Sequence, residues 1–133
     1  MGGIAGILNL DGRPVDNSQL ESITIRSANR GIDGIGYWKQ GNIGFGLLAQ
    51  RLTPTAQIDS FPCLHSSGQY AITLHGRIDN RTELMSLLGF SPDSVESLDD
   101  ASLILECYIR WGVGAPYKIL GDFAFAIWDK PKR

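Results

Sequence analysis

Short, almost wholly apolar runs alternate along this chain with polar stretches punctuated by glycine and proline. The run "GGIAGILNL" at 2–10 predicts a strand with apolar side chains on both faces. "DGRPVD" at 11–16 then turns, with Asp11-Gly12 as a hairpin-type signal. Asp16 and Gln19 have capping-box spacing, which predicts a helix from about Asn17 to Asn29. Leu20 and Ile23 point inward in that helix, and Gly31 stops it. "RGIDGIGYW" at 30–38 is glycine-rich and predicts a bend. "IGFGLLAQRL" at 43–52 and "QYAITLHGRI" at 69–78 are strand-like, with "TPTAQIDSFPCLHSSG" as the loop between them.

The second half reads more plainly. Asn80 and Glu83 repeat the capping-box spacing and open a helix with Leu84, Leu87 and Leu88, ending at Gly89. "SPDSVESLD" at 91–99 is a loop. Asp99 or Asp100 caps a third helix, with Leu103, Ile104, Cys107, Tyr108 and Trp111 at helical spacing and Gly112 as its stop. "GDFAFAIWD" at 121–129 is a last strand. Its Phe123, Phe125 and Ile127 line one face; Ala124, Ala126 and Trp128 line the other. Strands without a polar face are buried on both sides, so the sheets are expected to be covered by helices or stacked on each other.

Composition narrows the class. With 133 residues, 43% hydrophobic and 20% charged, the chain fits one globular domain, residues 1–133. A net charge of −2 gives no basic surface for nucleic acid or anionic lipid. No run approaches the roughly 18 apolar residues of a membrane span, and no basic segment precedes an apolar core as in a secretory signal. Cys63 and Cys107 are too few for a disulfide scaffold, so a cytoplasmic setting is expected. Cys63 and His65 lie two apart but lack the further ligands that a metal needs, so no metal site is expected.

Singly these motifs are weak; their order is informative. "GIAGIL", "RGIDGIGYW", "QRL", "HGRIDNRTEL", "DDASLILECYIRWG" and "LGDFAFAIWD" follow one another from Gly3 to Asp129. This succession resembles the N-terminal class II glutamine amidotransferase domain of the asparagine synthetase family. The resemblance implies an α+β, Ntn-hydrolase-like αββα sandwich: two stacked antiparallel sheets between helix layers. It also implies further strands and an ATP- and Mg-dependent C-terminal synthetase domain beyond Arg133, so the domain is expected to be incomplete here. No cofactor is expected within this domain itself.

The resemblance also assigns a site. In active relatives a cysteine follows the initiator methionine, and its thiolate attacks the glutamine amide with its own α-amine as base. Such an amine titrates near neutrality, which suits proton transfer. Here that position is Gly2, so no catalytic residue is assigned. Where the family has "NGE", this chain has His75-Gly76-Arg77. Loss of one oxyanion donor costs about 3–4 kcal/mol. Gly76 still offers its N–H, and His75 can donate through a ring nitrogen. Arg77 replaces a glutamate that helps hold the substrate ammonium, and like charges repel. Arg51 matches the carboxylate-binding arginine and Asp100 the ammonium-binding aspartate.

Each of these residues also has a purely structural role open to it. Arg51 can pair with an acidic neighbour, Asp100 can be a helix cap, Arg77 and Asp79 can form a surface pair, and His75 can be a core-edge histidine bonded to a carbonyl. Cys63 with His65 as base is a remote substitute for the missing nucleophile. The reading favoured is a vestigial glutamine pocket in a glutaminase-inactive domain of an asparagine-synthetase-like amide ligase, most like the lasso-peptide macrolactam synthetases. Its expected partners are the synthetase domain and a precursor peptide. Two alternatives stand beside it. One is a working asparagine synthetase domain in which Gly2 replaces the cysteine. The other is a stand-alone amino-acid-binding module using Arg51 and Asp100.

Overall fold

The computed structural model describes residues 3–26, 34–49, 62–91 and 98–132. Residues 1–2, 27–33, 50–61, 92–97 and 133 lie outside the described residues, and with them Gly2, Gly31 and Arg51. Two three-stranded antiparallel sheets are formed. The first contains β1 (Gly3–Leu8), β2 (Gly34–Gln40) and β3 (Ile43–Ala49), in the order β1-β3-β2. The second contains β4 (Cys63–Leu64), β5 (Tyr70–Ile78) and β6 (Gly121–Asp129), in the order β4-β5-β6.

The helices are α1 (Asn17–Ile25), α2 (Arg81–Leu87) and α3 (Asp100–Trp111), with a 3-10 helix at Gly112–Lys118. Helix α1 packs on the outer face of the first sheet, where Gly44 of β3 lies under Val15 and Leu20. Helix α3 packs on the outer face of the second, where Ile72, Leu74 and Ile78 of β5 join Leu103, Ile104 and Cys107. Between the sheets lies a smaller core of Ile43, Phe45 and Ala71, flanked by Trp38, Ala126 and Trp128. The layer order is therefore helix, sheet, sheet, helix.

Strand parity explains the layering. On β5, Ile72 and Leu74 face α3 while Ala71 and Thr73 face the other sheet. The register pairs Ala71 with Trp128 and Ile72 with Ile127. Phe123, Phe125 and Ile127 accordingly pack on the α3 side, and Ala126 and Trp128 on the inter-sheet side, as the alternation predicts. Two-sided burial holds for the central strands β3 and β5 but not for β1 or β6. These two are only half-buried, with Leu8 at 46% exposure, because each borders its sheet among the described strands.

Other expectations are corrected. The glycine-rich stretch is not only a bend: Gly34 and Gly36 lie within β2, whose pairing with β3 overrides their weak strand preference. A two-residue hairpin at Gly41-Asn42, with Gly41 at φ 59°, joins β2 to β3. Cys63–Leu64, expected in a loop, pairs with Ala71 and Ile72. Neither capping box forms as expected. Asp16 accepts from the Ser18 N–H at 2.8 Å, whereas the Asn80 side chain accepts from no N–H of α2 and its Nδ2 donates to Glu83 Oε2 at 3.2 Å. Asn80 also donates to the Lys118 carbonyl and accepts from the Leu120 N–H, both at 2.9 Å, fastening α2 to the segment before β6. Leu87 is 51% exposed, and Met85 takes the inward place beside Leu84. Of the two acidic candidates, Asp99 caps α3, accepting from the Ser102 N–H at 2.7 Å.

Gly46 on β3 is a point of close approach between the first sheet and α1. A β-carbon there would collide with the buried Thr24 of α1. We expect Gly46→Ala to cost about 1–3 kcal/mol by overpacking, read as a lower urea midpoint. The cost shrinks in a Thr24→Ala background; an undiminished cost in the double variant contradicts the contact.

Candidate functional site

Of the pocket candidates, His75, Gly76 and Arg77 lie near the C-terminal end of β5, which leads through Asp79 and Asn80 into α2, and Asp100 opens α3. His75 follows Ala71 and Thr73 on the face turned toward the first sheet and is half-buried there, opposite Ala124. Gly76 adopts φ 142°, and a β-carbon would run into the backbone of Asp122 and Phe123. Its lack of a side chain is therefore a packing requirement of the β5–β6 pair.

Arg77 is exposed. Its Nε lies 3.1 Å from Asp79 Oδ1 and its Nη2 3.7 Å from Asp122 Oδ2, with the Arg77 side chain 70% accessible. Pairs this exposed contribute little stability. Asp100 sits in the first turn of α3, and its carboxylate is held by Arg81 Nη1. Arg81 Nη2 donates in turn to the Leu98 carbonyl. This pair is mostly enclosed, with side-chain accessibilities of 26% and 17%. Asp100 is thus not the cap of α3; it is half of an inter-helix ion pair. Arg81 was not foreseen from the sequence. It lies 19 residues from its partner, and no local spacing signals such a contact.

The other candidate chemistry is committed elsewhere. His65 Nε2 meets Glu106 Oε1 at 3.0 Å, and Nδ1 lies 2.8 Å from Ser67 Oγ and accepts from the Ser67 N–H at 3.1 Å. Both ring nitrogens are occupied, so His65 is tied to α3 and its own turn rather than poised as a base for Cys63. Cys107 is buried among the α3 core residues. Burial, helped by the Glu106 charge, pushes its thiol up to about 11. The Tyr108 hydroxyl donates to Asp129 Oδ2 at 2.7 Å. That bond and burial push Tyr108 up to about 12. Among the described residues no group of three or more His, Cys, Asp or Glu could hold a metal, and no helix is long and apolar enough to cross a membrane. A surface hollow of about 400 Å³ lies against α1, lined by Ile7, Ser18, Gln19, Ser22, Ile23 and Arg26, and shares no residue with the β5 site.

A family described as a glutamine amidotransferase domain matches residues 1–133. The chain belongs to this family. It is 25% identical over 137 aligned residues to asparagine synthetase 3 of Bacillus subtilis, covering 99% of this chain and 22% of that protein. It is 30% identical over 139 residues to asparagine synthetase 2 of the same organism, covering 99% and 18%. Asparagine synthetase 1 gives 27% over 135 residues, covering 98% and 21%. All three relatives are named as glutamine-hydrolysing. The chain spans about a fifth of their length. The mixed α+β architecture of two antiparallel sheets with helices is compatible with an Ntn-hydrolase-like fold.

The raised thiol gives a pH prediction. In the unfolded chain a cysteine titrates at about 8.5, well below the folded value of about 11. The stabilising share from Cys107 is full below about pH 8.5 and is lost as pH climbs through 11. In a Cys63→Ser background, Cys107 should resist a thiol reagent at pH 8. Cys107→Ala should lose less stability between pH 9 and 11 than its parent. Rapid native labelling, or an unchanged alkaline slope, contradicts this.

Proposed function

We propose that this chain is a glutaminase-inactive amidotransferase-like domain of an ATP-dependent, asparagine-synthetase-like amide ligase of the lasso-peptide macrolactam synthetase kind. The observation that carries the reading is the residue set at the pocket. Gly2 stands at the nucleophile position, His75 at an oxyanion donor and Arg77 at an ammonium-binding carboxylate. One altered residue could silence an otherwise intact site. Three alterations, one of them reversing a charge, mean that the pocket has lost its fit to glutamine. The parent ligase would draw its amine from its own substrate, activate a carboxylate with ATP and magnesium held outside this domain, and close an amide. This domain would then scaffold the synthetase domain and present a surface to a precursor peptide.

The relatives' names favour a second reading, in which the parent hydrolyses glutamine and Gly2 stands in for a cysteine. A substitution series separates the two. Gly2→Cys alone, with Met1 removed, should leave ammonia release from glutamine at background. Adding His75→Asn, Arg77→Glu and, to free Asp100 for the substrate ammonium, Arg81→Met should raise it by about a hundredfold or more, the scale of one restored oxyanion donor. Full activity from Gly2→Cys alone selects the second reading. For the ligase itself, the encoding gene should continue into an "SGGxDS"-like pyrophosphate loop; a gene without one contradicts the proposal.

A further inference from the structure

Arg81 stands where local electrostatics disfavours it. It is the first residue of α2, and the positive end of a helix repels a cation. Asp100 occupies the corresponding position of α3, where a carboxylate is favoured without help. Arg81 nevertheless turns its guanidinium onto Asp100 and onto the Leu98 carbonyl just ahead of α3. A local rule broken at one residue and compensated by a specific long-range partner marks a site under constraint. The enclosure of both side chains, at 26% and 17% accessibility, separates this pair from the exposed Arg77 contacts. A cation that displaced Arg81 from Asp100 would leave an enclosed guanidinium without its counter-charge, which is costly.

We infer that Arg81 is the resident cation of the pocket: its guanidinium fills the position on Asp100 that a ligand's α-ammonium would take, and so excludes free α-amino acids. The inference rests on the reading of Asp100 as the ammonium-binding residue given above and extends it to ligand selection. Arg81 is a positioning residue by this account, acting through Asp100. Any ligand of the vestigial pocket then lacks a free α-ammonium, as the interior of a peptide chain does.

Calorimetric titration of the whole chain tests this with two probes, L-glutamine and glutaramate, which is glutamine without its α-ammonium. Arg81→Met keeps the aliphatic stem and frees Asp100. It should bind glutamine at least about tenfold more tightly than the unmodified chain, the equivalent of about 1.4 kcal/mol. Adding Asp100→Asn should abolish the gain. Glutaramate should bind both chains equally, so that the gain is confined to the probe carrying an ammonium; a merely structural Arg81 gives no such difference between the probes. If Arg81→Met does not fold, Arg81→Gln, which keeps a donor for the Leu98 carbonyl, serves in its place. Equal glutamine affinity in unmodified and variant chains overturns the assignment of Arg81 alone. Ammonia release from glutamine by the unmodified chain overturns the inactive reading and this inference with it.

Discussion

The architecture turns on Gly46. Thr24 of α1 presses on it from one side, its hydroxyl donating to the Leu20 carbonyl at 2.7 Å. From the other side the buried Thr73 hydroxyl of β5 donates to the Gly46 carbonyl at 3.2 Å. One residue without a side chain thus joins a helix, two sheets and, through the other face of β5, a second helix. A buried hydroxyl must find an acceptor, and both threonines find one within this contact. The inter-sheet core here is small, so the close approach at Gly46 fixes how the sheets cross.

That crossing decides where chemistry can sit. It sets His75 on the inter-sheet face and delivers the end of β5 to the first turns of α2 and α3. The described charges there are matched within the protein. Arg77 meets Asp79 and Asp122, and Arg81 meets Asp100. An active amidotransferase pocket needs charges left open for a zwitterion. Pairing within the protein is what a scaffold needs. The family relationship and the proposed loss of glutaminase activity are therefore consistent: packing holds the sheets whether or not a substrate occupies the pocket.

The sequence was most legible where signals are local. The apolar periodicity of α3, its Asp99 cap and Gly112 stop, and the alternation of "GDFAFAIWD" all reappear in the structure. What it hid was long-range. Gly34 and Gly36 read as a bend because only the pairing with β3 makes them a strand. Asn80 read as a helix cap, yet its amide serves a segment about 40 residues away. Leu87 read as core because α2, at seven residues, is too short for its spacing to fix which face is inward. The candidate glutamine-site residues rest on the succession of motifs alone, and two of them, Gly2 and Arg51, lie outside the described residues. Arg81 was invisible because an ion pair between two helix ends leaves no pattern in the chain.

On the proposed function, this domain keeps the amidotransferase fold without its glutamine chemistry. The most direct measurement is enzyme-coupled detection of ammonia from L-glutamine by the unmodified, folded chain over a range of concentrations. Release should be no faster than the spontaneous background at every concentration. Saturable, protein-dependent release would contradict it and mean that the chain supplies a nucleophile other than the cysteine missing from position 2.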